Sequence, residues 1–242
     1  MEKYYIFAIL ALVSEILGTI SGFGSSILFV PIASMFFEFK VVLGITAIFH
    51  VFSNLSKIAL FRNGIDKNIA IKLGVPAIIF VSFGALITTF LNTEMIELIM
   101  SIFLVALAIY LAVNVNKKLQ QSDRNLYLGG AISGFVAGIA GTGGAIRGIT
   151  MAAFKLKKEI FVATSALIDL GVDLSRAIIY TSNGYFNTSY LFLIPFLIGI
   201  SIVGSYIGKI ILNHTSETRF RYLVLGLIVL TSLFQIAKHM FY

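Results

Sequence analysis

The stretch Gly-Ile-Ala-Gly-Thr-Gly-Gly-Ala-Ile-Arg-Gly, residues 138–148, decides how this chain folds, together with a weaker echo, Gly-Thr-Ile-Ser-Gly-Phe-Gly-Ser-Ser, residues 18–26. Each lies inside a long apolar run, where a helix break leaves backbone groups that lipid cannot satisfy. Such a break is tolerated where it is buried in protein or lines a cavity. The two stretches are expected to be tips of two broken helices that meet at one site.

Working outward, composition fixes the solvent. Of 242 residues, 58% are hydrophobic and 12% charged, and mean hydropathy is +0.98. These values predict an all-α, multi-pass protein of the cell membrane. The net charge of +7 resides mostly in Lys and Arg of short loops between apolar runs, as positive-inside asymmetry demands, so no nucleic-acid partner is expected. Without Cys there are no disulfides, thiol nucleophiles or thiolate metal sites, and His50, His214 and His239 lack metal-ligand spacing. No metal and no cofactor is expected. The apolar run after Lys3 looks like a signal peptide, but it leads straight into a repeated motif and is expected to be retained.

Apolar segments occupy residues 4–37, 41–61, 69–91, 95–115, 126–154, 160–181, 190–212 and 220–237. Most suit one crossing, about 20 residues for a hydrocarbon core of about 30 Å. Two are too long: as single helices at about 1.5 Å per residue, 4–37 would extend about 50 Å and 126–154 about 43 Å. The Gly clusters make each a broken, re-entrant hairpin. The chain also repeats itself at an offset of 119: Gly22, Gly24 and Ile27 match Gly141, Gly143 and Ile146, while Thr46, Lys57 and Pro76 match Ser165, Arg176 and Pro195. With only three Pro in the chain, the Pro76 match is not coincidence. The predicted organisation is a first repeat over 1–116, a cytoplasmic linker over 117–124 and a second repeat over 125–242, each a broken hairpin plus three transmembrane helices.

Loop charges orient the halves. Arg62, Lys67 and Lys72 predict an inside loop, 92–97 an outside one, and Lys117, Lys118 and Arg124 inside again; Lys155, Lys157 and Lys158 are inside, the uncharged 182–189 outside, and Arg219 and Arg221 inside. Equivalent loops then face opposite ways, which predicts inverted-topology repeats. Lys3, Lys238 and His239 fall outside in this scheme and oppose it.

Inverted repeats with discontinuous helices are the construction of secondary transporters, whose sites lie where the breaks meet. A break exposes unpaired N–H groups at the start of the next helix, a ready anion site. Helices starting near Ser25 and Gly144 would point inward. The candidate substrate-binding residues are Ser21, Gly22, Gly24, Ser25 and Ser26 from the first break, and Gly141, Thr142, Gly143, Gly144 and Arg147 from the second. Arg147 supplies a cation suited to bidentate oxyanions. Gly18/Gly22, Gly134/Gly138 and Gly144/Gly148 equally read as close-packing pairs.

The segment after each break carries a polar face: Thr46, His50, Asn54 and Lys57 in the first half, and Ser165, Asp169, Asp173 and Arg176 in the second, at matching positions of one helical face. Ionisable groups at that depth line a cavity or a proton path. His50, Asn54, Asp169, Asp173 and Arg176 are the candidate polar pathway, with His50 or Asp169 as proton carrier. Asp173 and Arg176 also suit an internal ion pair. Lys57 is expected to snorkel to the inner surface, and Glu15 is a candidate partner for Arg147 or Lys57.

The segments Ser-Gly-Phe-Gly-Ser-Ser-Ile-Leu-Phe-Val-Pro at 21–31 and Ala-Gly-Thr-Gly-Gly-Ala-Ile at 140–146 resemble the duplicated Gly-rich signature of the TauE/SafE sulfite exporter family. Val-Ala-Thr-Ser-Ala-Leu at 162–167, with Gly184 after Tyr180, resembles its second characteristic stretch. The resemblance spans essentially the whole chain and implies a small transporter for sulfur-containing anions such as sulfite or sulfonates, driven by the proton gradient. The chain departs from the pattern at Thr150, which stands where the first half has Pro31, at Arg147, and at Asp169 and Asp173. The expected function is secondary transport of a small oxyanion, with the bilayer as surroundings and a homodimer allowed. A channel or uncoupled facilitator is the alternative. Enzymatic chemistry is disfavoured: residues 22–26 form no nucleophile elbow.

Overall fold

The computed structural model describes residues 2–61, 64–113 and 120–214. The expected segment 220–237, and with it Arg62, Lys117, Lys118, Arg219, Arg221, Lys238 and His239, lies outside the described residues.

The described chain is helical throughout: α1 (Glu2–Ser21), α2 (Ser26–Ala33), α3 (Phe39–Leu60), α4 (Lys67–Ile87), α5 (Thr93–Val113), α6 (Asp123–Ala140), α7 (Gly144–Ala152), α8 (Lys158–Ser182) and α9 (Leu193–Leu212). Short 3-10 turns occupy Thr88–Phe90 and Thr188–Tyr190. Four helices are long and apolar enough to cross a membrane, over Tyr4–Ser21, Phe39–Leu60, Lys67–Phe90 and Leu193–Leu212. α8 has 25 residues, length enough at about 1.5 Å each, but it carries Asp169, Asp173 and Arg176 on its inward face. The partition is that of a membrane protein: Phe83, Phe196 and Ile178 are exposed while Glu15, Lys57, Arg147 and Arg176 are buried.

Local chemistry sets the boundaries. Asp66 caps α4, its Oδ1 accepting from the Ile69 N–H at 3.0 Å, and Ser122 caps α6, its Oγ accepting from the Asn125 N–H at 3.2 Å. That cap starts α6 at Asp123, inside the stretch 117–124 that the sequence reads as linker. Both long apolar runs are interrupted. α1 gives way to α2 through Gly22 (φ 66°) and Gly24 (φ 85°), and α6 ends on Gly141 (φ 73°). These are left-handed conformations that glycine adopts without steric cost.

Each interrupted pair doubles back. Phe7 of α1 packs its ring on Phe29 and Phe36, and Tyr4 lies over Phe37. In the second pair, Gln121 Nε2 donates to the Ala153 carbonyl at 2.9 Å, closing the mouth between the start of α6 and the end of α7. The mouths open at opposite ends of the bundle. The first lies with residues 185–192: Tyr4 packs on Phe192, Phe37 on Tyr190, and Tyr185 Oη donates to Thr88 Oγ1 at 3.1 Å. The second lies with the Lys157 end, where Lys72 pairs with Asp123 at 2.7 Å and the Asp66 N–H donates to Thr164 Oγ1 at 2.9 Å.

Glycines draw the crossed helices together. A Cβ on Gly130, Gly134 or Gly138 of α6 would run into the backbone of α4 at Leu73, Ala77 and Val81, so these serve as packing glycines. On the other flank Gly204 and Gly208 of α9 lie against Glu15 and Thr19 of α1. Between the flanks α3 and α8 run antiparallel through the centre, each with its polar face toward the other.

Candidate functional site

The tips meet. α2 starts at Ser26 after Ser25 and α7 at Gly144 after Gly143, so both N-termini point into the centre. Ser26 Oγ donates to Thr142 Oγ1 at 3.3 Å across the gap. A Cβ on Gly144 would strike the Phe23 carbonyl, and one on Gly148 the Phe23 ring: the first tip lies directly on the second.

Twelve predicted residues line one central cavity. From the breaks come Gly24, Ser25, Ser26, Gly141, Gly143, Gly144 and Arg147; from α3 come His50 and Asn54, and from α8 Asp169, Asp173 and Arg176. Three stand aside. Ser21 Oγ donates to the Gly18 carbonyl at 3.1 Å and accepts from the Phe23 N–H, shaping the turn. Gly22 borders a smaller adjoining pocket and its carbonyl accepts from Ser165 Oγ at 3.1 Å. Thr142 faces Ser26. The central cavity has room for a single water and too little for a sulfur oxyanion.

Three ion pairs share the site. Glu15 is fully buried, and its Oε1 meets Lys57 Nζ at 2.9 Å. The same oxygen accepts from Ser53 at 2.7 Å, Ser205 at 2.8 Å and Thr19 at 3.3 Å, while Oε2 accepts from Ser25 at 2.6 Å. The expectation that Lys57 snorkels is therefore corrected: Glu15, 42 residues earlier, captures its ammonium (57 − 15 = 42), and Ser53 Oγ accepts a second bond from Nζ at 2.7 Å. Asp173 accepts from Arg176 Nε at 2.7 Å and from Asn54 Nδ2 at 2.7 Å. Arg176 Nη1 donates to the Gly141 carbonyl at 2.6 Å, pinning the second break. Arg147 forks onto both oxygens of Asp169, Nη1 to Oδ1 and Nη2 to Oδ2, and its Nε donates to Ser165 Oγ at 3.2 Å. With three cations against three carboxylates, these pairs sum to zero formal charge.

His50 links two of the pairs, and hydrogen-bond arithmetic fixes its protonation. Ser25 spends its only proton on Glu15, so at 2.9 Å it must accept from His50 Nε2–H. His50 Nδ1 then faces Arg176 Nη2, a donor, at 3.3 Å and must be the bare nitrogen. His50 is the neutral Nε2–H tautomer, and a second proton would set donor against donor.

The sequence signal missed Ser53 and Ser205. Ser53 lies one turn from His50 on the polar face of α3 and was legible there; Ser205 sits in an apolar helix with no such pattern. Thr46, whose counterpart Ser165 binds the Gly22 carbonyl, is the one described buried side-chain polar atom without a hydrogen-bond partner, while Arg176 occupies the Gly141 carbonyl.

Comparison with known proteins gives the family. The family model of the sulfite exporter TauE/SafE matches residues 6–234. This chain belongs to the TauE/SafE sulfite exporter family. It is also 28% identical, over 94% of its own length and 93% of the relative's, to a protein of Methanocaldococcus jannaschii described as a probable membrane transporter protein. No solved structure matched the chain. It is thus a multi-pass membrane transporter of the sulfite-exporter type.

Proposed function

We propose that this TauE/SafE transporter is a secondary carrier that moves a small sulfur-containing oxyanion, sulfite or a sulfonate, together with protons. The site is the cavity between the two Gly-rich breaks, and the cycle is alternating access rather than any chemical step. The observation that carries the reading is the placement of Arg147, itself buried, beneath two converging helix N-termini. Backbone N–H groups at the two helix starts and a planar guanidinium form a donor set matched to an oxyanion.

In this reading the two halves, 1–116 and 125–242, are inverted-topology repeats. Contacts at the centre support it. Asn54 bonds Asp173, its own counterpart at an offset of 119. His50 meets Arg176, and their counterparts, Asp169 and Lys57, border one pocket. A two-fold axis between α3 and α8 accounts for all three. Rocking of one half against the other about that axis would open the cavity to each side in turn.

The test is uptake of sulfite, thiosulfate and methanesulfonate into proteoliposomes, with and without a proton gradient, for wild type and Arg147→Ala. Wild type is expected to show saturable, gradient-dependent flux. Truncating a charge-assisted partner costs about 2 kcal/mol or more, so Arg147→Ala should lower apparent affinity about 30-fold or more. No flux of any of the three anions would refute the assignment. Undiminished flux after the gradient is collapsed would make the protein a facilitator.

A further inference from the structure

The three buried carboxylates of the site are not held alike. Glu15 accepts from five donors, supplied by α1, α3, α9 and the first break, and is wholly buried. Asp173 is gripped by Arg176 on one oxygen and Asn54 on the other, with its side chain 5% exposed. Asp169 is held by Arg147 alone, and its side chain is 14% exposed into the cavity. It is the one carboxylate of the three that a single substitution of partner would release.

Its grip on Arg147 also takes the bidentate pair of donors that suits an oxyanion, leaving one N–H on each terminal nitrogen. Both terminal nitrogens of the guanidinium point at Asp169, Nε is committed to Ser165, and the remaining cavity has room for one water. An anion therefore enters by taking the place of Asp169, and the two negative charges cannot share the guanidinium in so small a volume. Other groups facing Asp169 do not relieve this. Lys57 from α3 is committed to Glu15, Arg176 from α8 to Asp173 and the Gly141 carbonyl, and His50 from α3 is neutral. Asp173 adds negative charge. α6 lines the cavity with Ala137, and on α4, Lys72 pairs with Asp123 toward the start of the helix, which Lys67 opens.

We infer that Asp169 is a built-in substitute for the substrate: each anion displaces its carboxylate from Arg147, and the displaced carboxylate crosses as the acid, carrying one proton per anion. This rests on the transport reading above. The proton is taken from the side on which the anion enters. It is given back when the anion leaves and Asp169 re-forms its pair with Arg147, so the site returns to zero charge at both ends of the cycle.

The experiment counts charge. With whichever of sulfite, thiosulfate and methanesulfonate the wild type transports, reversal potentials in proteoliposomes give the net charge moved per anion, and an internal pH dye gives the protons. The expected result is that Asp169→Asn, which keeps the shape and loses the titrating oxygen, still moves the anion, moves no proton, and carries one more negative charge per turnover than wild type. In wild-type protein, where no folding defect intervenes, saturating anion should raise labelling of Asp169 by dicyclohexylcarbodiimide, a reagent for protonated carboxyls, and leave Glu15 unchanged, as read by mass spectrometry. Equal charge per turnover in the two proteins, or labelling of Asp169 indifferent to or reduced by the anion, overturns the inference while leaving anion transport intact. If wild type moves none of the three probes, the transport reading itself fails, and this inference with it.

Discussion

Glu15 is the residue on which the first half of the site depends. Its carboxylate sits at 0% exposure and neutralises Lys57 at 2.9 Å. Removing one partner of a buried pair leaves the other uncompensated, which costs about 3–5 kcal/mol. Glu15→Gln is therefore expected to lower thermal stability in detergent by that amount, and so is Lys57→Met. The double variant Glu15→Gln, Lys57→Met should recover much of the loss, because the desolvated charges vanish together. Strict additivity of the two single effects would show that the pair is not coupled. From sequence Glu15 was one candidate partner for Lys57, and snorkelling was the competing expectation. A lysine three residues from the end of an apolar helix ordinarily stretches its apolar stem toward the interface, and the carboxylate that captures it lies on another helix.

Elements show the same division between what one chain segment reveals and what only packing decides. The breaks at Gly22–Ser25 and Gly141–Gly143 were legible because a helix of about 50 Å has no place in a core of about 30 Å and because glycine supplies the left-handed turn. The polar faces of α3 and α8 were legible from their four-residue spacing. Which glycine turns the chain and which one packs was not, since both uses look alike in sequence. Gly134 packs: a Cβ there would lie 2.7 Å from Ala77 Cα of α4, and a helix backbone cannot yield locally. Gly134→Ala is expected to destabilise by about 1–3 kcal/mol through forced separation of α4 and α6. A Cβ on Gly199 of α9 would meet nothing within 4 Å, so Gly199→Ala should leave the melting temperature unchanged or slightly raised. Equal gains for both would mean that helix propensity, not the α4–α6 approach, governs these sites.

At the scale of the molecule the decisive property is sidedness. The Lys157 end gathers the α6–α7 mouth, the start of α4 and the end of α3, where Lys209 Nζ donates to the Leu60 carbonyl at 2.8 Å. The opposite end gathers residues 185–192 and the first mouth, with Thr93 Oγ1 donating to Glu38 Oε1 at 3.2 Å. The chain contains no cysteine, so single cysteines report cleanly. Lys157→Cys and Ser189→Cys, both exposed positions, should react with a membrane-impermeant thiol reagent from opposite faces of the membrane, Ser189→Cys from the outside and Lys157→Cys from the inside. Labelling of both from one face would break the arrangement of ends described above; labelling with the faces exchanged would invert the loop-charge orientation alone.

The bond between Asn54 and Asp173 has a meaning that its 2.7 Å length does not convey. In the two-fold arrangement proposed for the halves, a position on the axis faces its own image. In a pair of identical subunits an aspartate there would confront an aspartate, and an asparagine another asparagine. Amide against carboxylate is open only to a molecule whose two halves are written separately in one chain. Fusion of the halves thus frees the axis from self-complementarity, and the polarity it acquires there makes the two ends of the transport path chemically unequal.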